Sequence, residues 1–81
     1  MDEFVVLFFH KIEGEDFVSV FLCPSLLAAE FFIMILRNKE EISIIALVDK
    51  KRKAVSLEKG KSLVPFLVWL KKNVPEWKAG A

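Results

Sequence analysis

Six consecutive large apolar residues, Phe4-Val5-Val6-Leu7-Phe8-Phe9, place the strongest constraint on this chain. Their β-branched and aromatic character reads as a strand. Successive strand side chains point to opposite faces, so Val5, Leu7 and Phe9 lie on one side and Phe4, Val6 and Phe8 on the other. A strand that is apolar on both sides needs cover on both sides. The sheet that holds it must therefore be hidden twice over, by the chain's own elements or by another molecule.

The length of 81 residues allows a single domain, 1–81. Hydrophobic residues make up 54% of the chain and charged residues 28%, which excludes disorder and low-complexity structure. A core of this size is marginal. Cys23 is the only cysteine, so no internal disulfide can reinforce it, and the remaining stability must come from dense packing, a partner or a ligand. The lone cysteine fits a reducing, cytoplasmic setting. The acidic start Met1-Asp2-Glu3 is unlike a secretory leader. The longest helix-like apolar stretches, Leu26 to Leu36 and Leu63 to Leu70, fall short of the roughly 20 residues that cross a bilayer, so no transmembrane segment is expected. Ten lysines and eight glutamates, with no Gln or Thr and only two asparagines, are a thermophilic tendency.

Punctuation along the chain gives the order ββαββα. Phe4 to Ile12 and Phe17 to Cys23 form a hairpin about the turn Glu13-Gly14-Glu15-Asp16. Pro24-Ser25 then starts a helix that ends near Asn38. A second hairpin, Ile42 to Val48 and Ala54 to Glu58, turns at Asp49 to Lys53. Gly60 closes it, and Ser62 caps a second helix that accommodates Pro65 in its first turn and runs to about Lys72. The two ββα halves, about 4–41 and 42–78, align with an offset of 37 residues. Val18-Ser19 falls on Val55-Ser56 and Ser25-Leu26 on Ser62-Leu63, an architectural rather than an ancestral repeat. Their charges differ: residues 1–41 carry 3 basic and 8 acidic groups, and residues 42–81 carry 9 basic and 3 acidic. Short connections point to an α+β fold with one four-stranded antiparallel sheet, order 1-2-4-3 in a permuted ferredoxin-like arrangement, and both helices on one face.

That arrangement leaves the other sheet face open, and the residues assigned to it are half apolar. Period-2 reading sets Val18, Val20, Leu22, Ile42, Ile44, Val48, Val55 and Leu57 beneath the helices, and Phe21, Ile45 and Leu47 on the open side. On a helical wheel the first helix shows a narrow polar stripe, Glu30 and Arg37, with Ala28, Phe32 and Ile35 opposite it against the sheet. Leu26, Ile33 and Met34 flank the stripe, and Val64 and Val68 are a similar surplus on the second helix. The expectation is a non-enzymatic protein-interaction module, a homodimer or one half of an obligate pair. Its interface would comprise Leu26, Ile33, Met34, Arg37, Phe21, Ile45 and Leu47.

The alternative is a nucleic-acid-binding module. Lys50, Lys51, Arg52 and Lys53, with Lys59 and Lys61 nearby, would contact the phosphate backbone from the second hairpin. A solvated turn that discourages strand pairing explains the same run. Trp69 and Trp77 with Lys61, Lys71, Lys72 and Lys78 also admit an interfacial membrane helix, although the core needs the same apolar body. The residues Cys23-Pro24-Ser25 resemble the one-thiol variant of a thioredoxin-type motif in their first three positions and strand-to-helix placement. Between the first helix and the next hairpin the chain has neither the further helix nor the Xaa-Pro that such a fold uses, so a small buried apolar role suits Cys23 better. His10 is the sole histidine and is expected near a strand end, partly exposed. Ser25 and Ser62 read as helix caps, Glu13, Glu15 and Asp16 as a solvated turn, and no catalytic residue, metal site or cofactor is expected.

Overall fold

The computed structural model describes residues 3–79, so Met1 and Asp2 of the acidic start lie outside the described residues. Strand β1 (Phe4–Ile12) turns into β2 (Glu15–Cys23), helix α1 (Leu26–Arg37) follows, and strands β3 (Ile42–Asp49) and β4 (Ala54–Lys59) form the second hairpin. A 3₁₀ turn, Val64–Phe66, leads into the short helix α2 (Leu67–Asn73), and a two-residue strand β5 (Lys78–Ala79) ends the described chain. The fold is α+β, with one mixed five-stranded sheet in the order β2-β1-β3-β4-β5. All pairs are antiparallel except β4 with β5.

Local chemistry accounts for most boundaries. The first hairpin is tighter than expected: only Glu13 and Gly14 lie between the paired Ile12 and Glu15, with φ of 50° and 82°. Two consecutive positive φ values define a type I′ turn, whose twist matches that of the strands it joins. Ser25 caps α1, its hydroxyl accepting the Ala28 N–H at 3.1 Å. Ser62 instead accepts the Val64 N–H two residues on, and α2, whose N-cap residue is Phe66, has no side-chain cap. Pro65 is accommodated within the 3₁₀ turn. Gly60 has a φ of 92°, and a Cβ there would stand 2.8 Å from the Ser43 carbonyl oxygen.

The sheet is covered on both faces by the chain itself, which corrects the expectation of two helices on one face. Val5, Leu7, Ala46, Val48 and Val55 are buried against Phe66, Leu70 and Val74 of the α2 segment. Val6, Cys23, Ile42 and Ile45 are buried against Ala29, Ile33 and Leu36 of α1. The sheet order also departs from 1-2-4-3, because β1 and β3 are the inner pair and β2 is an edge. Connection handedness gives the physical reason. The β2–α1–β3 and β4–α2–β5 units both join parallel strands and both advance in the same direction across the sheet, but their strands point opposite ways. A right-handed crossover then requires the two helices on opposite faces. Without β5, the sequence offered no such constraint on α2.

One strand parity and the orientation of α1 change as well. A register shift between Phe9 and His10 opposite β3 turns Ile42 onto the α1 face, whereas Ile44 stays beside Phe9 on the α2 face. On α1 the buried arc is Ala29, Ile33 and Leu36, rotated from the expected Ala28, Phe32 and Ile35; Ile35 is exposed.

Candidate protein interface

The seven residues expected at an interface divide into three groups. Ile33 and Ile45 are buried in the α1-face core and are internal contacts, and Leu47 packs half-buried against the same core. Arg37 is tied to β4: its guanidinium donates to the Glu58 backbone carbonyl at 3.2 Å and pairs with the Glu58 carboxylate at 3.3 Å. Phe21, Leu26 and Met34 remain exposed. Leu26 and Leu47 line an open cleft of about 530 Å³ beside β4, with Ala54, Ser56, Lys51 and Arg52.

The larger exposed apolar surface runs along β2. Phe17, Val18, Val20, Phe21 and Leu22 are each 41 to 53% exposed, and β2 is the outermost strand of its side of the sheet. Among the described residues nothing pairs with its outer edge. The α2 segment packs over Val5, Leu7, Ala46, Val48 and Val55, which belong to β1, β3 and β4, and so leaves β2 uncovered on that face. A groove of about 530 Å³ results, with Val18 and Val20 on one wall and Val68, Trp69 and Lys72 on the other.

On the α1 face the Phe21 ring stacks on Phe32, centroids 4.0 Å apart, and Phe32 meets Phe8 edge-on at 6.0 Å. Phe32 is itself only half-buried. Ile35, three residues on from Phe32, and Phe31, four residues before Ile35, are exposed. Leu27, Phe31 and Met34 continue along the outer side of α1 at 77%, 61% and 56% exposure. The apolar surface therefore passes without interruption from the β2 edge across Phe21 and Phe32 to the flank of α1. A surface helix of an isolated domain carries polar residues there. The sequence contains the signal for Leu27 and Phe31, since only Glu30 and Arg37 interrupt α1, but the buried arc lies one position on from the Ala28, Phe32 and Ile35 that a polar stripe at Glu30 and Arg37 predicts.

The remaining groups have local explanations. His10 Nε2 and Ser19 Oγ are 2.7 Å apart across the first hairpin, and the His10 ring lies 5.0 Å from Phe8 and 6.2 Å from Phe17. This pairing follows from the two-residue turn, which sets Phe8 opposite Ser19 and His10 opposite Phe17. Cys23 is fully buried, its sulfur 3.9 Å from the Phe21 carbonyl oxygen. Trp69 and Trp77 pack half-buried against the α2-face core rather than forming an exposed belt. No helix among the described residues is long and apolar enough to cross a membrane.

The six basic residues do not form one patch. β4 separates them: Lys50 to Lys53 form the turn at one end, and Lys59 and Lys61 lie at or beyond the other, roughly 17 Å away at strand rise. Arg52 and Lys53 face acidic partners, Asp49 at 3.9 Å and Glu76 at 4.0 Å. The Lys59 ammonium donates to the Arg37 and Lys39 carbonyls at 3.1 Å each, at the C-terminal end of α1. In comparisons with protein-family models, curated proteins and solved structures, nothing significantly similar to the chain was found.

Proposed function

We propose that this chain is a non-enzymatic protein-association module that works with its β2 edge and α1 flank covered, most simply as a homodimer. The observation that carries the reading is the uninterrupted apolar surface from Leu22 and Val20, across Phe21 and Phe32, to Phe31 and Ile35. Natural sheets blunt their edges with charge, proline, bulges or brevity. The opposite edge of this sheet does so, with a two-residue β5 that carries Lys78. β2 is nine residues long, and its only charges are Glu15 and Asp16 at the hairpin end.

Magnitude supports the reading. A half-exposed Val, Leu or Phe returns about 1 kcal/mol when its exposed half is covered. Five such residues on each of two copies give on the order of 10 kcal/mol, comparable to the 4 to 15 kcal/mol estimated for lost freedom on association. The exposed residues of α1 and α2 supply the surplus. The single cysteine supports a cytoplasmic setting for such a module.

Size-exclusion chromatography with light scattering tests this directly at about 50 µM, above the dissociation constants of standard-sized interfaces. The expected mass is twice 9.3 kDa or a higher multiple. A soluble 9.3 kDa species that captures no partner would overturn the proposal.

A further inference from the structure

Resting on the association reading, we infer that the occupant of the β2 edge is β2 of a second copy, antiparallel, in the register that sets Ser19 opposite Ser19 of the partner subunit and joins the two five-stranded sheets into one.

The hairpin turn decides which backbone groups are available. A two-residue type I′ turn makes Ile12 and Glu15 a hydrogen-bonded pair. Antiparallel ladders alternate, so the odd residues of β2 from Glu15 to Cys23 bond inward to β1. Asp16, Val18, Val20 and Leu22 therefore direct their N–H and C=O groups outward. The other side of β1 agrees, since Lys11, an odd residue, donates its N–H towards β3 at the Glu41 carbonyl, 3.1 Å away.

Orientation follows from charge. The acidic turn at Glu13 and the basic turn at Lys50 to Lys53 lie at opposite ends of the strands, because β1 is antiparallel to β3 with Phe4 facing Asp49. A parallel copy in register would set two acidic turns one strand spacing apart, about 5 Å. An antiparallel copy separates them by the strand length and points each towards the partner's basic end. The basic turn itself is about three strand spacings away, near 14 Å, so screening leaves avoided repulsion as the main effect.

Register follows from the strand's own limits. Outward residues must face outward residues, so the pairing moves in steps of two. Centred on Ser19, Asp16 faces Leu22 of the partner subunit and Val18 faces Val20 of the partner subunit, which uses all four outward residues of each copy. One step one way sets Asp16 against Pro24, which has no N–H. One step the other way sets Leu22 against Gly14, which is in the turn. In the Ser19 register Phe17 and Phe21 also become cross-strand neighbours on the α1 face, and Val18 and Val20 on the α2 face. Aromatic and β-branched pairs of this kind stabilise antiparallel strands. The two-fold axis is normal to the sheet, so like faces adjoin and the α1 flanks of the two copies approach each other.

The test uses the full chain and two kinds of variant. Val20→Pro removes an N–H that the isolated subunit does not use, since edge strands tolerate proline where the N–H faces solvent. It is expected to raise the dissociation constant by about a hundredfold, through two symmetry-related ladder bonds and ring clashes at the centre of the pairing. Ser19→Cys is expected to form an intersubunit disulfide in air, because a non-hydrogen-bonded pair holds its Cα atoms about 4.5 Å apart, within disulfide reach. Val18→Cys and Val20→Cys are expected to remain reduced. A dimer whose strength Val20→Pro leaves unchanged, with no Ser19→Cys cross-link, would overturn the inference while sparing the association reading. Cross-linking at Val18→Cys or Val20→Cys in place of Ser19→Cys would overturn the register. An unmodified chain that is monomeric at about 50 µM would overturn the inference, and one that in addition captures no protein partner would overturn the association reading as well. Should Val20→Pro fail to fold, the cysteine series decides alone.

Discussion

Phe66→Ala tests whether α2 truly covers the second face of β1. Phe66 is fully buried and packs with Val5 and Leu7 of β1, Ala46 and Val48 of β3, and Leu70 and Val74 of its own segment. Truncating a buried phenylalanine costs about 3 to 5 kcal/mol, transfer and cavity terms together. Unfolding free energies of small domains are about 5 to 15 kcal/mol, so the variant loses a large part of the total. With a urea m-value of about 1.5 kcal/mol/M, towards the low end for small domains, a 4 kcal/mol loss lowers the midpoint by about 2.7 M. The assay is equilibrium urea denaturation followed by far-UV circular dichroism, at one fixed protein concentration because association adds to apparent stability. Phe66→Leu keeps most of the volume and should lose less than about 1.5 kcal/mol. A Phe66→Ala loss below 1 kcal/mol would mean that the α2 segment does not close this face, and the double cover of β1 would be refuted.

Other substitutions probe single links. Ser25→Ala removes the α1 cap seen at 3.1 Å and should cost about 1 kcal/mol in the same titration. Gly14→Ala and Gly60→Ala both place alanine at positive φ, a strain of about 1 to 2 kcal/mol. Only Gly60→Ala also meets backbone at 2.8 Å, so it should be the more destabilising by a clear margin, and equal losses would contradict the close approach of Ser43. Replacing Lys50, Lys51, Arg52 and Lys53 together by Ser should leave the assembly's mass by light scattering unchanged. Dissociation of that variant would show that the basic turn belongs to the interface.

Much of the fold could be read from the chain because its punctuation is chemically specific. Gly14 with its polar neighbours marked the first turn, Pro24-Ser25 the start of α1, and the aliphatic Ile42 to Val48 run the third strand. Phe4 to Phe9 also announced that both faces of β1 need cover. The sequence did not reveal which element provides the second cover, because that depended on β5. Two residues, Lys78 and Ala79, hold one parallel pairing and carry no periodic signal, yet they fix the handedness of the crossover and hence the side of α2. Ile42 lies on the face opposite to the one a period of two predicts, because a bulge is invisible to that period. Ile33 is core rather than surplus, and the sequence does not show this because α1 is apolar nearly all round, which leaves its wheel with little to orient it.

The interface shows the same division. The apolar surplus was legible as a total, and Phe21, Leu26 and Met34 are indeed exposed. Its principal location was not, because the edge status of β2 depends on long-range strand order. With β1 and β3 paired at the centre, Val18, Val20 and Leu22 pass from under a helix to the rim of the sheet. The separation of the basic residues was legible in the strand Ala54 to Glu58 between them, but the acidic partners Asp49 and Glu76 and the carbonyls that hold Lys59 were not.

Amide hydrogen exchange along β2 addresses the central claim most directly. Paired edge to edge, Val18, Val20 and Leu22 exchange slowly in concentrated solution and lose that protection on dilution, while the inward amides of Phe17, Ser19 and Phe21 stay slow throughout. Rapid exchange of the three outward amides at every concentration, with the inward three protected, would contradict the account.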